Sequence, residues 1–413
     1  MPAVRFAVPR FPALGASRRH CGAFLPAACT STPQSSSPLL LDLHPKSGLA
    51  EISVVNLGVA VPLLVCWVAL AACETTPTPA PVAAANKWQL VFEEQPGAFL
   101  SVWGTANDDV WVVGAHNPAK VDNNPTALHW TGKEWQRIAA QAPGADFWWV
   151  AGLPKGDVWI GGTLGTIAHW NRADGTTTIE KTPTKDTIFG ILPVTATDIW
   201  AVGGDANCSA PACGVIWHSD GKTWLPADVP ADLLTLSRQW FKAWKYNNSI
   251  YVVGSWFDDT KPSAILKYDG KTWSSVASDV TRTLLTIAGN DAADAPACAA
   301  VGGSNEGVIT QMQADGTWKK YSSTKKLPML NGVFVPAKGY AVAVGAGGSL
   351  YERKAGVWTL NTELPDVSAD DFHSVWISPQ GEVWAVGGQI LSTPQIAGMV
   401  VRFGSGVISA KLP

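Results

Sequence analysis

"DVWVVG" at 109–114 returns along the chain as "DVWIGG" at 157–162, "DIWAVGG" at 198–204 and "SIYVVG" at 249–254. It returns again as "CAAVGG" at 298–303, "YAVAVG" at 340–345 and "EVWAVGG" at 382–388, making seven copies. Each is a short apolar run ending in glycine. Between them stands a second anchor, a turn followed by tryptophan: "TGKEW" to Trp135, "DGKTW" to Trp224 and to Trp273, "ADGTW" to Trp318 and "KAGVW" to Trp358. The second unit has degenerated here to "ADGTTTI". Two anchors recurring every 40–50 residues or so define a repeat architecture.

Each unit reads as four strands. Strand A is an apolar stretch such as Phe99–Trp103, Phe147–Ala151, Leu330–Phe334 or Phe372–Trp376. Strand B is the glycine-ended run, strand C is "ALHW" or "AILKY", and strand D starts at the anchor tryptophan. Runs of β-branched and aromatic residues bounded by Asp-Gly or Thr-Gly are hairpin signals. Four-stranded units at this spacing suit blades that bury both faces against neighbours and so require a closed ring. The expected fold is an all-β, seven-bladed β-propeller. The ends support closure. After strand C of the last unit, Met399–Phe403, no "GKxW" strand follows, whereas "NKWQLVF", Asn86–Phe92, looks like "GKEWQRI", Gly132–Ile138. The N-terminal strand is expected to complete blade seven and remove an open sheet edge.

The repeat resembles the Trp-rich "DVWAVG…GKTW" propellers of bacterial envelope and secreted proteins, and more distantly the kelch and Asp-box (BNR) repeats. An Asp-box would read Ser-x-Asp-x-Gly-x-Thr-Trp, whereas "HSDGKTW" and "KYDGKTW" bring Asp and Gly together. The resemblance covers the propeller and implies fold alone, because propellers host enzymes, binders and scaffolds alike.

Ahead of the repeats lies an address. Leu57–Ala72, "LGVAVPLLVCWVALAA", carries no charge, is short for a membrane span and suits the apolar region of a signal peptide. It ends in Leu70-Ala71-Ala72-Cys73, which resembles the lipobox of bacterial lipoproteins. That resemblance implies lipidation of Cys73, cleavage before it, and anchoring to the cell envelope, the outer membrane being the expected one. An ordinary secretory signal or a short N-terminal span is the alternative. The expected organisation is 1–56, an irregular extension; 57–72, the apolar signal region; 73–85, a linker; 86–404, the propeller; and 405–413, a tail. Residues 1–41 contain no acidic residue. The extension reads as a start assigned too far upstream, with a transit peptide as the alternative.

Charge and composition narrow the function. Residues 1–56 carry Arg5, Arg10, Arg18, Arg19 and Lys46 against Asp42 and Glu51, a net of +3; the chain total of −3 therefore leaves −6 from Cys73 onward. A mildly acidic body without a basic stripe argues against nucleic acid. No metal and no cofactor is expected. His129, His169 and His218 recur at equivalent strand C positions, so they lie on a ring and cannot converge on one ion; they read as solvent-facing. Asp109, Asp157, Asp198 and Glu382 each precede strand B and read as turn residues. The Asn-rich "DNNPT" at 122–126 reads as a polar turn rather than a Ca²⁺ loop. Cys208 and Cys213 flank "SAPA" in one loop, and in an oxidising compartment the pair reads as a disulfide contributing about 2 kcal/mol.

The expected site is the face carrying the B–C and D–A connections, which vary in length while the A–B and C–D turns stay short. Aromatics outside the repeat register are the candidates: Trp148, Trp149, Trp240 and Trp256. Of these, Trp149, Trp240 and Trp256 form the expected binding set with Phe257, Asp258, Asp259 and Lys242, and partner binding is expected on the B–C loop of blade four with the D–A segment before it. The function expected is a non-enzymatic envelope module, monomeric, that recognises a protein or glycan. A hydrolase or lyase with its site at the channel mouth is the alternative and should gather several charges where strand A begins. Only Lys242, Arg238 and Arg282 stand there. A structural scaffold is the third reading.

Overall fold

A computed structural model describes residues 85–413 except 118, 120, 121, 206, 207, 209–212, 257–260, 291–297 and 338. The extension, the apolar signal region, Cys73 and most of the linker lie outside the described residues. The described residues form seven four-stranded antiparallel sheets, each running A-B-C-D from the axis outward. Strand A of blades one to seven is Phe99–Ala106, Phe147–Gly152, Thr187–Thr195, Gln239–Tyr246, Leu284–Gly289, Leu330–Ala337 and Asp371–Ile377. Each strand A packs beside strand A of the blades on either side, blade seven meeting blade one, so the ring closes.

The outermost strand of blade seven is N-terminal. Lys87–Gln95 pairs antiparallel with strand C of that blade, Ile396–Gly404, in the register Lys87↔Gly404, Trp88↔Phe403 and Leu90↔Val401. The last residues extend this joint. Ile408 is buried, in a cluster with Phe92, Trp135 and Trp384, and Leu412 packs against that cluster.

The core lies between blades. Alternate residues of each strand face the two neighbouring sheets, so every blade shares one apolar cluster with the blade before it and one with the blade after. Trp111, Val113 and Ala127 of blade one meet Phe147, Val150 and Ile160 of blade two. Trp200, Val202 and Ile216 of blade three meet Trp240, Val252 and Leu266 of blade four.

One irregularity recurs in all seven blades. The A–B pairing slips by one residue near the start of strand A: between Phe99 and Ser101, Phe147 and Trp149, Ile188 and Gly190, Trp240 and Lys242, Leu284 and Thr286, Leu330 and Gly332, Phe372 and Ser374. A β-bulge at that point inserts one residue and re-aims it. It also explains the glycine that ends each strand B. A Cβ on Gly114 would collide with the Ala98 carbonyl, and one on Gly387 with the Asp371 carbonyl. The repeat's "VG" is thus the partner of the bulge.

The acidic residue before strand B does more than shape a turn. Asp109 accepts from Trp111 Nε1 at 3.2 Å and stands 2.7 Å from His129 Nε2, while the His129 ring stacks on Trp111 at 4.4 Å. Asp157, Trp159 and His169 repeat the stack, and Asp198, Trp200 and His218 the clip. The three histidines are therefore not free solvent-facing residues: each bridges strand C to the head of strand B across an indole. Burial works against the Asp109 charge, but hydrogen bonds from His129 and Thr105 and the Arg172 charge outweigh it and hold the carboxyl well below its usual range. Blade seven keeps the geometry with other residues. Glu382 pairs through both oxygens with Arg402, whose guanidinium lies 5.6 Å from the centre of the Trp384 ring. Blade four places Lys267 opposite Tyr251 in the same register.

Candidate binding site at the channel mouth

The seven inserted residues are Leu100, Trp148, Phe189, Phe241, Leu285, Asn331 and His373, and six of them line one cavity of about 330 Å³. Gln239 and Met329, which precede strand A core residues, and Ile390 and Leu391 from the B–C loop of blade seven complete its wall. The cavity therefore opens on the B–C and D–A face. Trp148 meets Phe189 edge-on at 5.4 Å, and Phe189 meets Phe241 at 5.3 Å, forming an aromatic arc. Leu391 stands at the rim, 76% exposed.

Lys242 follows the inserted residue of blade four, where other blades carry Ser101, Trp149, Gly190, Thr286, Gly332 and Ser374. Its side chain is buried, 4% exposed. The amine donates to the Phe189 carbonyl and lies 4.2 Å from the centre of the Trp149 ring. Among the described residues no carboxylate lines the cavity. Burial without a counter-ion lowers the amine from 10.5 to about 7.

His373 faces the same space. Its ring Nδ1–H donates to the Leu100 carbonyl, and the ring meets Trp148 edge-on at 5.5 Å. Burial, then the nearby Lys242 amine, lowers it from 6.5 to about 3. The imidazole is thus neutral at physiological pH, with Nε2 as an acceptor. Asn331 donates to the Phe372 carbonyl at 2.7 Å, and Thr286 donates to the Asn331 carbonyl at 2.6 Å.

A second cavity, about 430 Å³, opens on the A–B turn face among Trp103, Trp149, Trp244, Phe334, Trp376, Pro154, Pro193 and Pro379. Lys242 lines the first cavity and Trp149 the second, so their contact stands between the two.

The predicted binding residues separate. Trp149 and Lys242 meet in the channel. Trp240 does not join them: it is 0% exposed and occupies the core position of Phe99, Phe147 and Phe372, so it is in register with the repeat and packs between blades. Trp256 is half-buried on the rim. Its Nε1 donates to the Leu236 carbonyl at 2.9 Å, and the Lys261 amine lies 3.8 Å from its ring centre. That contact ties the B–C loop of blade four to the preceding D–A segment, which carries the short helix Ala231–Leu234. Phe257, Asp258 and Asp259 lie outside the described residues. Cys208 and Cys213 are joined by a disulfide with Cα atoms 5.8 Å apart, and Arg238 donates to the Cys208 carbonyl at 2.6 Å. Arg282 pairs with Glu306 at 3.0 Å. Neither arginine lines the channel cavity.

Sequence reasoning assigned His373 and Asn331 no role. Their signal lies in the alignment of repeats: at the position after the first core residue of strand A, five blades carry apolar residues and two carry polar ones.

No family model matches the chain, and no curated protein matches it. Solved structures do. A streptogramin B lyase structure aligns with a TM-score of 0.56 at 14% identity, over 78% of this chain and 98% of that one. YCF48 bound to D1 peptide aligns at 0.54 and 13%, over 79% and 100%. The WD40 repeats of RRP9 align at 0.55 and 10%, over 79% and 99%. At these identities the likeness is one of fold: the chain is built as a seven-bladed β-propeller.

Proposed function

We propose that the protein is a non-enzymatic binding module of the cell envelope, tethered through Cys73 to the outer membrane, which recognises a protein partner with its B–C and D–A face. The observation that carries this reading is the channel cavity, lined by an aromatic arc and opening between exposed side chains on the same face. Leu164, Leu236 and Leu391 are 56%, 40% and 76% exposed, all on B–C or D–A connections. Apolar groups kept in water on the face where an apolar pocket opens, with Leu391 in its wall, are the anatomy of an interaction surface. Among the described residues Lys242 is the cavity's one cation and no acid lines it, a composition suited to holding a ligand rather than to paired acid–base chemistry. That YCF48 is seen with a peptide bound is consistent with a propeller serving this way.

Selection of peptides from a displayed random library tests the reading. Enriched peptides should lose binding to Leu391→Asp and Leu236→Asp variants, whose melting temperatures stay at the parent value because both side chains are exposed. Peptides that bind both variants undiminished, and compete instead with changes at Pro154 or Pro379, would place the partner on the opposite face.

A further inference from the structure

We propose that the channel cavity receives an apolar ligand end bearing a single carboxylate, with Lys242 as its counter-ion. The proposal rests on the reading of this face as a binding surface and names what enters it.

Lys242 is a buried amine that has no carboxylate partner among the described residues. One of its three donors goes to the Phe189 carbonyl and its positive charge rests on the Trp149 ring, which leaves donors without an acceptor among the described residues. Buried charges are ordinarily paired, because an unpaired one carries its full desolvation cost. No described residue of this cavity supplies the missing anion, and a ligand can. Gln239, 3% exposed, also lines the cavity. Its amide can donate to the second carboxylate oxygen.

The rest of the wall excludes alternatives. Phe189, Phe241, Leu285 and Met329 offer hydrocarbon, so the body of the ligand is apolar. A cationic ligand would meet Lys242 without a compensating acid. A phosphate dianion would be better matched by more than one cation, and the described lining holds one. The volume of about 330 Å³ admits one side chain and its terminus but no folded element. Two sources fit this chemistry: the C-terminal residue of a protein, and a free aliphatic or aryl acid.

Calorimetric titration at pH near 6.5 separates them. The probes are phenylbutyrate, its neutral amide, and a short alanine peptide ending in phenylalanine, with the C-terminus either free or amidated. Carboxylate forms should bind roughly tenfold or more tighter than their amides. Lys242→Met, followed by near-ultraviolet circular dichroism to verify the fold, should abolish that preference, so that acid and amide of each probe bind alike. Carboxylate affinity in the parent should also fall by up to about tenfold per pH unit above neutrality, as the free amine loses the proton that binding requires. A free-ended peptide that outbinds phenylbutyrate assigns the site to protein C-termini; the reverse assigns it to small acids. Equal affinity of acid and amide, an unchanged preference in Lys242→Met, or no binding of any carboxylate at about 10 mM overturns the proposal. If library-selected peptides still depend on Leu391 under those outcomes, the surface reading stands and only the carboxylate assignment falls.

Discussion

Replacing Lys242 by methionine should stabilise the protein at acid pH and lose that advantage as pH rises. The amine titrates near 7 in the folded chain, against 10.5 when exposed. At about 1.4 kcal/mol per pH unit, folding with the ammonium intact costs about 5 kcal/mol. The sign follows from which state holds the proton. Below pH 7 both states are protonated and the cost is fully present. Between 7 and 10.5 the unfolded chain keeps the proton and the folded chain does not, so stability rises with pH; above 10.5 the cost is gone. Methionine removes this dependence but orphans the Phe189 carbonyl, a loss of about 1–3 kcal/mol at every pH. Chemical unfolding at pH 6 should therefore find the variant more stable by about 2–4 kcal/mol. At pH 10 the two should be nearly equal or the parent slightly ahead, a change of about 4 kcal/mol in their difference. A difference that stays flat from pH 6 to 10 would show that the amine is solvated or paired when folded, and the argument from its burial would collapse.

Three other perturbations test the frame. A chain shortened to begin at Gly97 loses the strand paired with Ile396–Gly404 and bares its edge and the Phe92 cluster; it should aggregate or melt far below the parent, and equal melting would refute the closure. Arg402→Met leaves Glu382 buried and unpaired and should cost about 3–5 kcal/mol in urea unfolding, most of it recovered by adding Glu382→Leu; a single variant within about 1 kcal/mol of the parent would contradict the clip. Burial opposes the His169 charge, but Glu180 and Asp157 prevail and raise its pKa above 6.5. Its contribution is thus complete below 6.5 and lost as pH climbs through the folded value, so the melting gap between parent and His169→Gln should narrow from pH 6 to 8 or so, and a gap that widens would reverse the assignment.

The blades were legible because a closed ring forces the same solution on every repeat: "VWxVG" marks strand B, the glycine-turn-tryptophan marks strand D, and the displaced "NKWQLVF" marks the closure. The site was only partly legible. Lys242 stands out as a charge within an apolar strand, but nothing local says that Trp149 and Phe189, on two other blades, are its neighbours. Trp240 misled because the bulge shifts the apparent register by one, making a core residue look displaced. The histidines misled differently: alternation along strand C puts them on an outward face, and only the three-dimensional stack on Trp111, Trp159 and Trp200 shows what they bind.

The inserted residue at the head of each inner strand has a consequence for how such a protein can change. A residue without a partner across the ladder is exempt from the pairing rules that constrain its neighbours, and its glycine counterpart absorbs the backbone displacement whatever side chain is present. Leucine, tryptophan, phenylalanine, asparagine and histidine all occupy this position here without altering the blade behind them. The ring therefore holds six such positions around one cavity, each able to vary while the blade pairing behind it is kept. The lining of the cavity can change one blade at a time, by descent or by design, while the frame that holds it stays the same.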